Sequence, residues 1–162
     1  MPNKYSSSAP YLDTIDKEIL NRLQENGKLS ARDLAAQVGL STTPTYERLK
    51  KLEQSGVIDK VVALLRRDLI EKDIVAFCTV SLQNHALEVM ESFEQSVRQI
   101  KEVQECYHIT GNYDYLLKVV VSDMNAYQEL LTKKLAVLQH IAKVHSNFVM
   151  TEVKYSTAYT LA

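Results

Sequence analysis

Ser41, Thr42, Thr43, Tyr46, Glu47, Arg48, Lys50 and Lys51 put hydroxyls, a carboxylate and three cationic groups into one short stretch of chain. That mixture suits DNA. Arg pairs bidentately with guanine, Glu accepts from the cytosine amino group, Thr and Tyr bond base edges or phosphates, and Lys neutralises phosphates. The chemistry requires a helix with those groups outside and an apolar face inside. Thr45, Leu49 and Leu52 supply the inner face at helical spacing, which predicts that Thr42, Thr43, Tyr46, Glu47, Arg48, Lys50 and Lys51 point outward. Taken alone, the same residues also fit a solvated helix face.

A second constellation is "HITGNYDYLLKVVV", residues 108–121, which holds Gly111, the one glycine after Gly56. Glycine between strands supplies a positive φ or lets another group approach the backbone. Gly-Asn within alternating apolar residues equally marks a tight hairpin. Asp114 lies among Tyr113, Tyr115, Leu116 and Leu117, where its carboxylate is partly desolvated unless paired. Two readings stand: a structural hairpin, or a ligand loop in which Asp114 takes an α-ammonium group.

The elements that must position these residues fall into two sets. Leu12, Ile15, Ile19, Leu20 and Leu23 form one helical stripe, capped by Asp13 or Thr14 and followed by Gly27. Ser30 with Asp33 opens a second helix that buries Leu34, Ala35 and Val38 and ends at Gly39. Ser41 opens the third, with Pro44 in its first turn and Gly56 after its end. Two short helices around a glycine turn are the helix-turn-helix pattern. The β-branched run at residues 57–67 reads as a strand or a hinge.

Residues 73–82, 103–110, 113–121 and 141–153 read as strands. Leu87, Met90, Phe93, Val97 and Ile100 mark a helix over 85–101, and Met124, Tyr127, Leu131, Leu135 and Leu138 another that Asp123 caps. The order β-α-β-β-α-β is the ferredoxin-like pattern. The expected fold is therefore α+β: a three-helix, winged-helix-like helix-turn-helix domain, then a ferredoxin-like βαββαβ domain. The expected division is an arm at 1–11, a DNA-binding domain at 12–60, a hinge strand or linker at 61–73, and the second domain at 74–162. Phe77 with Cys78, Leu116 with Leu117, and Phe148 with Val149 make both sheet faces apolar, and a second copy is the simplest cover for the face without helices.

The chain has 162 residues, 46% hydrophobic and 24% charged, with a net charge of −1. Residues 1–72 hold 12 Lys and Arg against 10 Asp and Glu, and residues 73–162 hold 7 against 10, so the mild positive bias lies with the helix-turn-helix. No apolar run reaches the roughly 18 residues of a membrane span, and the polar start shows no secretory signal. A cytoplasmic protein is expected. Cys78 and Cys106 lie in apolar strands without metal-ligand spacing and are expected as core side chains. No nucleophile–base pair, phosphate loop or metal motif argues for an enzyme.

"LDTIDKEILNRLQENGKLSARDLAAQVGLSTTPTYERLKKLEQSGVI" together with "ITGNYDYLLKVVVSDMNAY" resembles the Lrp/AsnC family of feast/famine regulators, from residue 12 to about 156. The resemblance implies a bacterial, nucleoid-associated transcription regulator that binds double-stranded DNA. It implies dimers that assemble to octamers or larger discs, without a metal or organic cofactor. It also implies an amino-acid effector, leucine or another, near the contact between dimers. By position, Thr110, Gly111, Asn112, Tyr113 and Asp114 would form the polar wall, with backbone amides near Gly111 on the ligand carboxylate and Asp114 on its amino group. His108, Met124, Asn147, Phe148 and Val149 would surround the side chain. His108 and Asn147 stand where a leucine-responsive member carries an aliphatic and an aromatic residue, which makes this pocket more polar. Tyr46 stands where relatives more often carry an aliphatic residue. An architectural DNA-wrapping protein without an effector is the alternative.

Overall fold

The computed structural model describes residues 10–162, and the expected arm falls outside them except for Pro10 and Tyr11, both exposed. The described chain divides into two compact units, one of residues 10–64 with 154–162 and one of residues 65–153.

The first unit is built on α1 (Thr14–Glu25), α2 (Ala31–Val38) and α3 (Thr42–Gln54). Asp13 and Asp16 form a reciprocal capping box at the start of α1: the Asp16 amide donates to Asp13 at 2.8 Å and the Asp13 amide to Asp16 at 3.3 Å. Ser30 caps α2 by accepting from the Asp33 amide at 3.2 Å. Gly39 ends α2 in the left-handed region at φ 70, a conformation a Cβ resists. Ile19, Leu20, Leu34 and Leu52 form the core, with Leu12, Ile15, Leu23, Val57 and Ile58 against it. Residues 57–66, expected as a strand or a hinge, form no strand within the single chain. Val61, Val62, Leu64 and Leu65 there are exposed.

The second unit carries β1 (Ile74–Leu82), α4 (Leu87–Val97), β2 (Val103–His108), β3 (Tyr115–Val121), α5 (Met124–Glu129) and β4 (Ile141–Phe148). The sheet order is β2-β3-β1-β4 with every pair antiparallel, the ferredoxin-like arrangement. Alternation sends Ala76, Cys78, Val80, Leu82, Tyr115, Leu117, Val119 and Val121 to one face, where they pack with Phe93, Val97, Tyr127, Leu130 and Leu135. After α5 the backbone widens into a π-type turn at Leu130–Leu135, which buries Leu130 and Leu135 together. Met124, expected inward, is exposed instead.

On the other face Phe77 is exposed, flanked in register by Lys118 and Asn147. Lys118 pairs with Glu105 at 2.7 Å, so that face is mixed rather than wholly apolar. Both cysteines are free thiols; Cys78 is buried as expected, but Cys106 is exposed on edge strand β2. No helix of the described residues is long and apolar enough to cross a membrane.

Candidate functional sites

Helix α3 is held by Thr45 and Leu52, both buried, with Leu49 half-buried. Ser41, Thr42, Thr43, Tyr46, Glu47, Lys50 and Lys51 are exposed. Ser41 occupies the N-cap position without a capping bond from its side chain; its carbonyl accepts from the Thr45 hydroxyl at 3.0 Å. The N-terminal turn of α3 thus presents backbone amides beside three hydroxyl-bearing residues, a setting favourable to phosphate.

Arg48 departs from the outward set. Its Nη1 donates to Asp13 Oδ2 at 2.6 Å and to Asp16 Oδ1 at 2.7 Å. The two carboxylates that cap α1 thereby spend their remaining oxygens on a guanidinium from α3. Arg48, expected in the outward set, is half-buried and ion-paired to α1. A buried Asp16 needs a cationic partner, and Arg48 is the one in reach. The Asp16 amide, then the Arg48 guanidinium, hold the Asp13 carboxyl below its ordinary range, and the same carboxylates raise Arg48 above its own.

Gly111 adopts φ 117, and a Cβ built on it would meet no atom within 4 Å. Backbone conformation, not crowding, therefore asks for glycine there. Asp114 is not without partners, as the sequence suggested. Its Oδ2 accepts from the Leu82 amide at 2.7 Å and its Oδ1 lies 2.8 Å from His85 Nε2. The Leu82 amide above all, with His85, holds its carboxyl below the ordinary range. Its own amide donates to Val80 and its carbonyl accepts from Ile109, so Asp114 ties the loop to the end of β1.

The predicted effector residues fall in separate places. Thr110, Gly111, Asn112, Tyr113 and Asp114 sit beside Val80 and Leu82. Phe148 pairs with Ala76, Asn147 with Phe77, and the Val149 amide bonds Val75, at the other end of β1. The two groups are three to seven residues apart along β1, so at about 3.3 Å per residue they are separated by roughly 10–23 Å. Asn147 and Phe148 also point to opposite sheet faces, Phe148 edge-on to Tyr127 with ring centroids 4.7 Å apart. His108 stacks on Tyr115 at 5.0 Å and lines a cleft between α4 and β2 with Glu94, Arg98 and Cys106. Within a single copy the loop and residues 147–149 stand towards opposite ends of β1.

A three-helix unit with a cation-bearing third helix, joined to a ferredoxin-like unit, defines a DNA-binding regulator with a separate ligand-binding domain. Residues 12–59 match the family model for winged helix-turn-helix DNA-binding domains, and residues 75–159 match that for the Lrp/AsnC ligand binding domain. The chain is 41% identical over 145 residues to the leucine-responsive regulatory protein of Escherichia coli K12, covering 90% of this chain and 88% of that protein. Its fold matches a transcriptional regulator of Neisseria meningitidis, solved as an L-Met complex, with a TM-score of 0.88 and 37% identity over 92% of this chain and 96% of that one. An AsnC family regulator from Agrobacterium tumefaciens matches with a TM-score of 0.88 and 38% identity, over 91% of this chain and 96% of that one. The chain belongs to the Lrp/AsnC family of transcription regulators, proteins that bind DNA rather than catalyse reactions.

Proposed function

We propose that this regulator reads DNA through the exposed face of α3 and responds to an amino acid held between copies of its ferredoxin-like unit. The observation that carries the DNA contact is the exposed set Ser41, Thr42, Thr43, Tyr46, Glu47, Lys50 and Lys51 on a helix anchored by Thr45 and Leu52. The lysines take phosphates, while Thr, Tyr and Glu contact base edges. Arg48 is assigned to positioning α3 rather than to reading.

The L-Met complex of the Neisseria relative supports an amino acid as effector. Thr110, Gly111, Asn112 and Tyr113 of one copy would face Met124, Phe148 and Val149 of another, because one copy separates them, while Asn147 lies on the opposite sheet face. His108 beside the loop makes the pocket more polar than an all-aliphatic one, so leucine is one candidate among several. Assembly beyond the dimer, to an octamer, is part of this reading, as is a cytoplasmic site of action. Engagement of Asp114 by Leu82 and His85 favours a second reading, an architectural DNA-wrapping regulator without effector.

A thermal-shift panel of single amino acids separates the two. A ligand stabilises by RT ln(1 + [L]/Kd), so an effector at about 100 times its Kd adds about 2.7 kcal/mol. A selective rise with one or a few amino acids supports the effector reading. No rise with any of them supports the architectural one.

A further inference from the structure

The sequence from Lys154 onward continues the ligand-binding domain by family match, which runs to residue 159, yet by packing it belongs to the DNA-binding unit. Three side chains of α1 receive it. Lys17 Nζ donates to the Ala162 carbonyl, and Asn21 Nδ2 to the Leu161 carbonyl at 3.2 Å. Gln24 pairs with both backbone groups of Tyr159, its Nε2 donating to the carbonyl at 3.0 Å and its Oε1 accepting the amide at 2.7 Å. Positions 17, 21 and 24 recur at the four- and three-residue spacing of one helix stripe. Their partners 162, 161 and 159 run the opposite way, so an extended peptide lies antiparallel along α1. Leu161 packs against the core of Ile19, Leu20, Leu34 and Leu52. A side-chain amide paired to both groups of one backbone residue is specific for extended chain, since a helix would already have used those groups.

We propose that residues 156–162 are a strap that docks along the Lys17–Asn21–Gln24 stripe of α1 and gives the DNA-binding unit a second tether to the ligand-binding unit. Without it the connection runs only through residues 57–73, which contain no strand and one short 3₁₀ turn at Arg67–Leu69. With it, the chain is fastened at both crossings, 64/65 and 153/154. A doubly held reading head samples fewer orientations and loses less freedom on DNA, which raises affinity without any new DNA contact.

Three variants of the full chain test this: deletion of residues 156–162, Gln24→Ala, and a long Gly/Ser insertion between Lys154 and Ser156. Hydrogen exchange on the α1 amides reads docking, and anisotropy titration of a mixed-sequence duplex reads DNA affinity. The deletion is expected to speed exchange in α1 and to weaken DNA binding by about tenfold, with Gln24→Ala showing the same two changes more weakly. The insertion preserves docking but slackens the tether, so it should leave α1 protection at the wild-type level and still weaken DNA binding. Wild-type α1 protection in both the deletion and Gln24→Ala overturns docking. Wild-type DNA affinity in the insertion variant overturns the tether. Failure of DNA binding itself would show separately, as no binding by the wild-type chain.

Discussion

Arg48 Nη1 lies 2.7 Å from Asp16 Oδ1 and so fastens α3, the helix proposed to read DNA, to the first turn of α1. Asp16 keeps only 9% of its side chain exposed, and its two oxygens are taken by that one guanidinium and by the Asp13 amide. A cation on α3 thus serves the fold.

Arg48→Ala should therefore destabilise the DNA-binding unit by about 2 kcal/mol, because it strands a desolvated carboxylate. Urea unfolding of the variant measures this. It should leave the salt slope of DNA binding at the wild-type value, whereas removal of a phosphate-binding cation makes that slope shallower. Full stability with a shallower slope would return Arg48 to the reading face.

Asp114→Ala removes the acceptor for the Leu82 amide and the partner of His85. An expected loss of about 1–2 kcal/mol follows from leaving that amide unpaired at the end of β1. Amino-acid affinity per folded molecule, measured by calorimetry, should change little. Unchanged stability with lost affinity would instead make Asp114 the ammonium anchor.

Gly111→Ala forces a Cβ into φ 117 without relieving any crowding. The cost should be about 1–3 kcal/mol, read as a lower denaturation midpoint for the second unit. A neutral substitution would show that the loop relaxes to another conformation.

Acid should weaken both units. The folded-state pKa values of Asp13 and Asp114 lie below their ordinary 3.8. Their stabilisation is thus complete above that value and is lost as the pH falls from it through the depressed folded-state values. Asp13→Asn and Asp114→Asn should each flatten the acid limb of stability against pH. An acid limb identical to wild type in both variants would contradict the assignment.

The helices were readable because apolar spacing, capping acids and glycine stops agree at α1 and α2. The ferredoxin-like order was readable because β-branched runs alternate with helical stripes. The ion pairs of Arg48 were not legible because periodicity sees one helix at a time, although acids at both the cap and third positions of α1 hint at a cation from elsewhere. Asn147 and Phe148 could have been separated by the two-residue period of a strand, since neighbours face opposite ways. The docking of the last residues was hidden because nothing local says that Leu161 joins the core of Ile19, Leu20, Leu34 and Leu52. Tertiary partners distant in sequence, Asp114 with Leu82 among them, lie outside what spacing reports.

The reading face of α3 is tested most directly by titrating a mixed-sequence duplex with wild type and with the Lys50→Ala, Lys51→Ala double variant over a range of salt. Both lysines are exposed, so the variant should fold as wild type does. Its affinity should fall, and the slope of log affinity against log salt should be shallower by about 2, one unit for each phosphate that a lysine no longer neutralises. Wild-type affinity and slope in the folded double variant would contradict the assignment of this face to DNA.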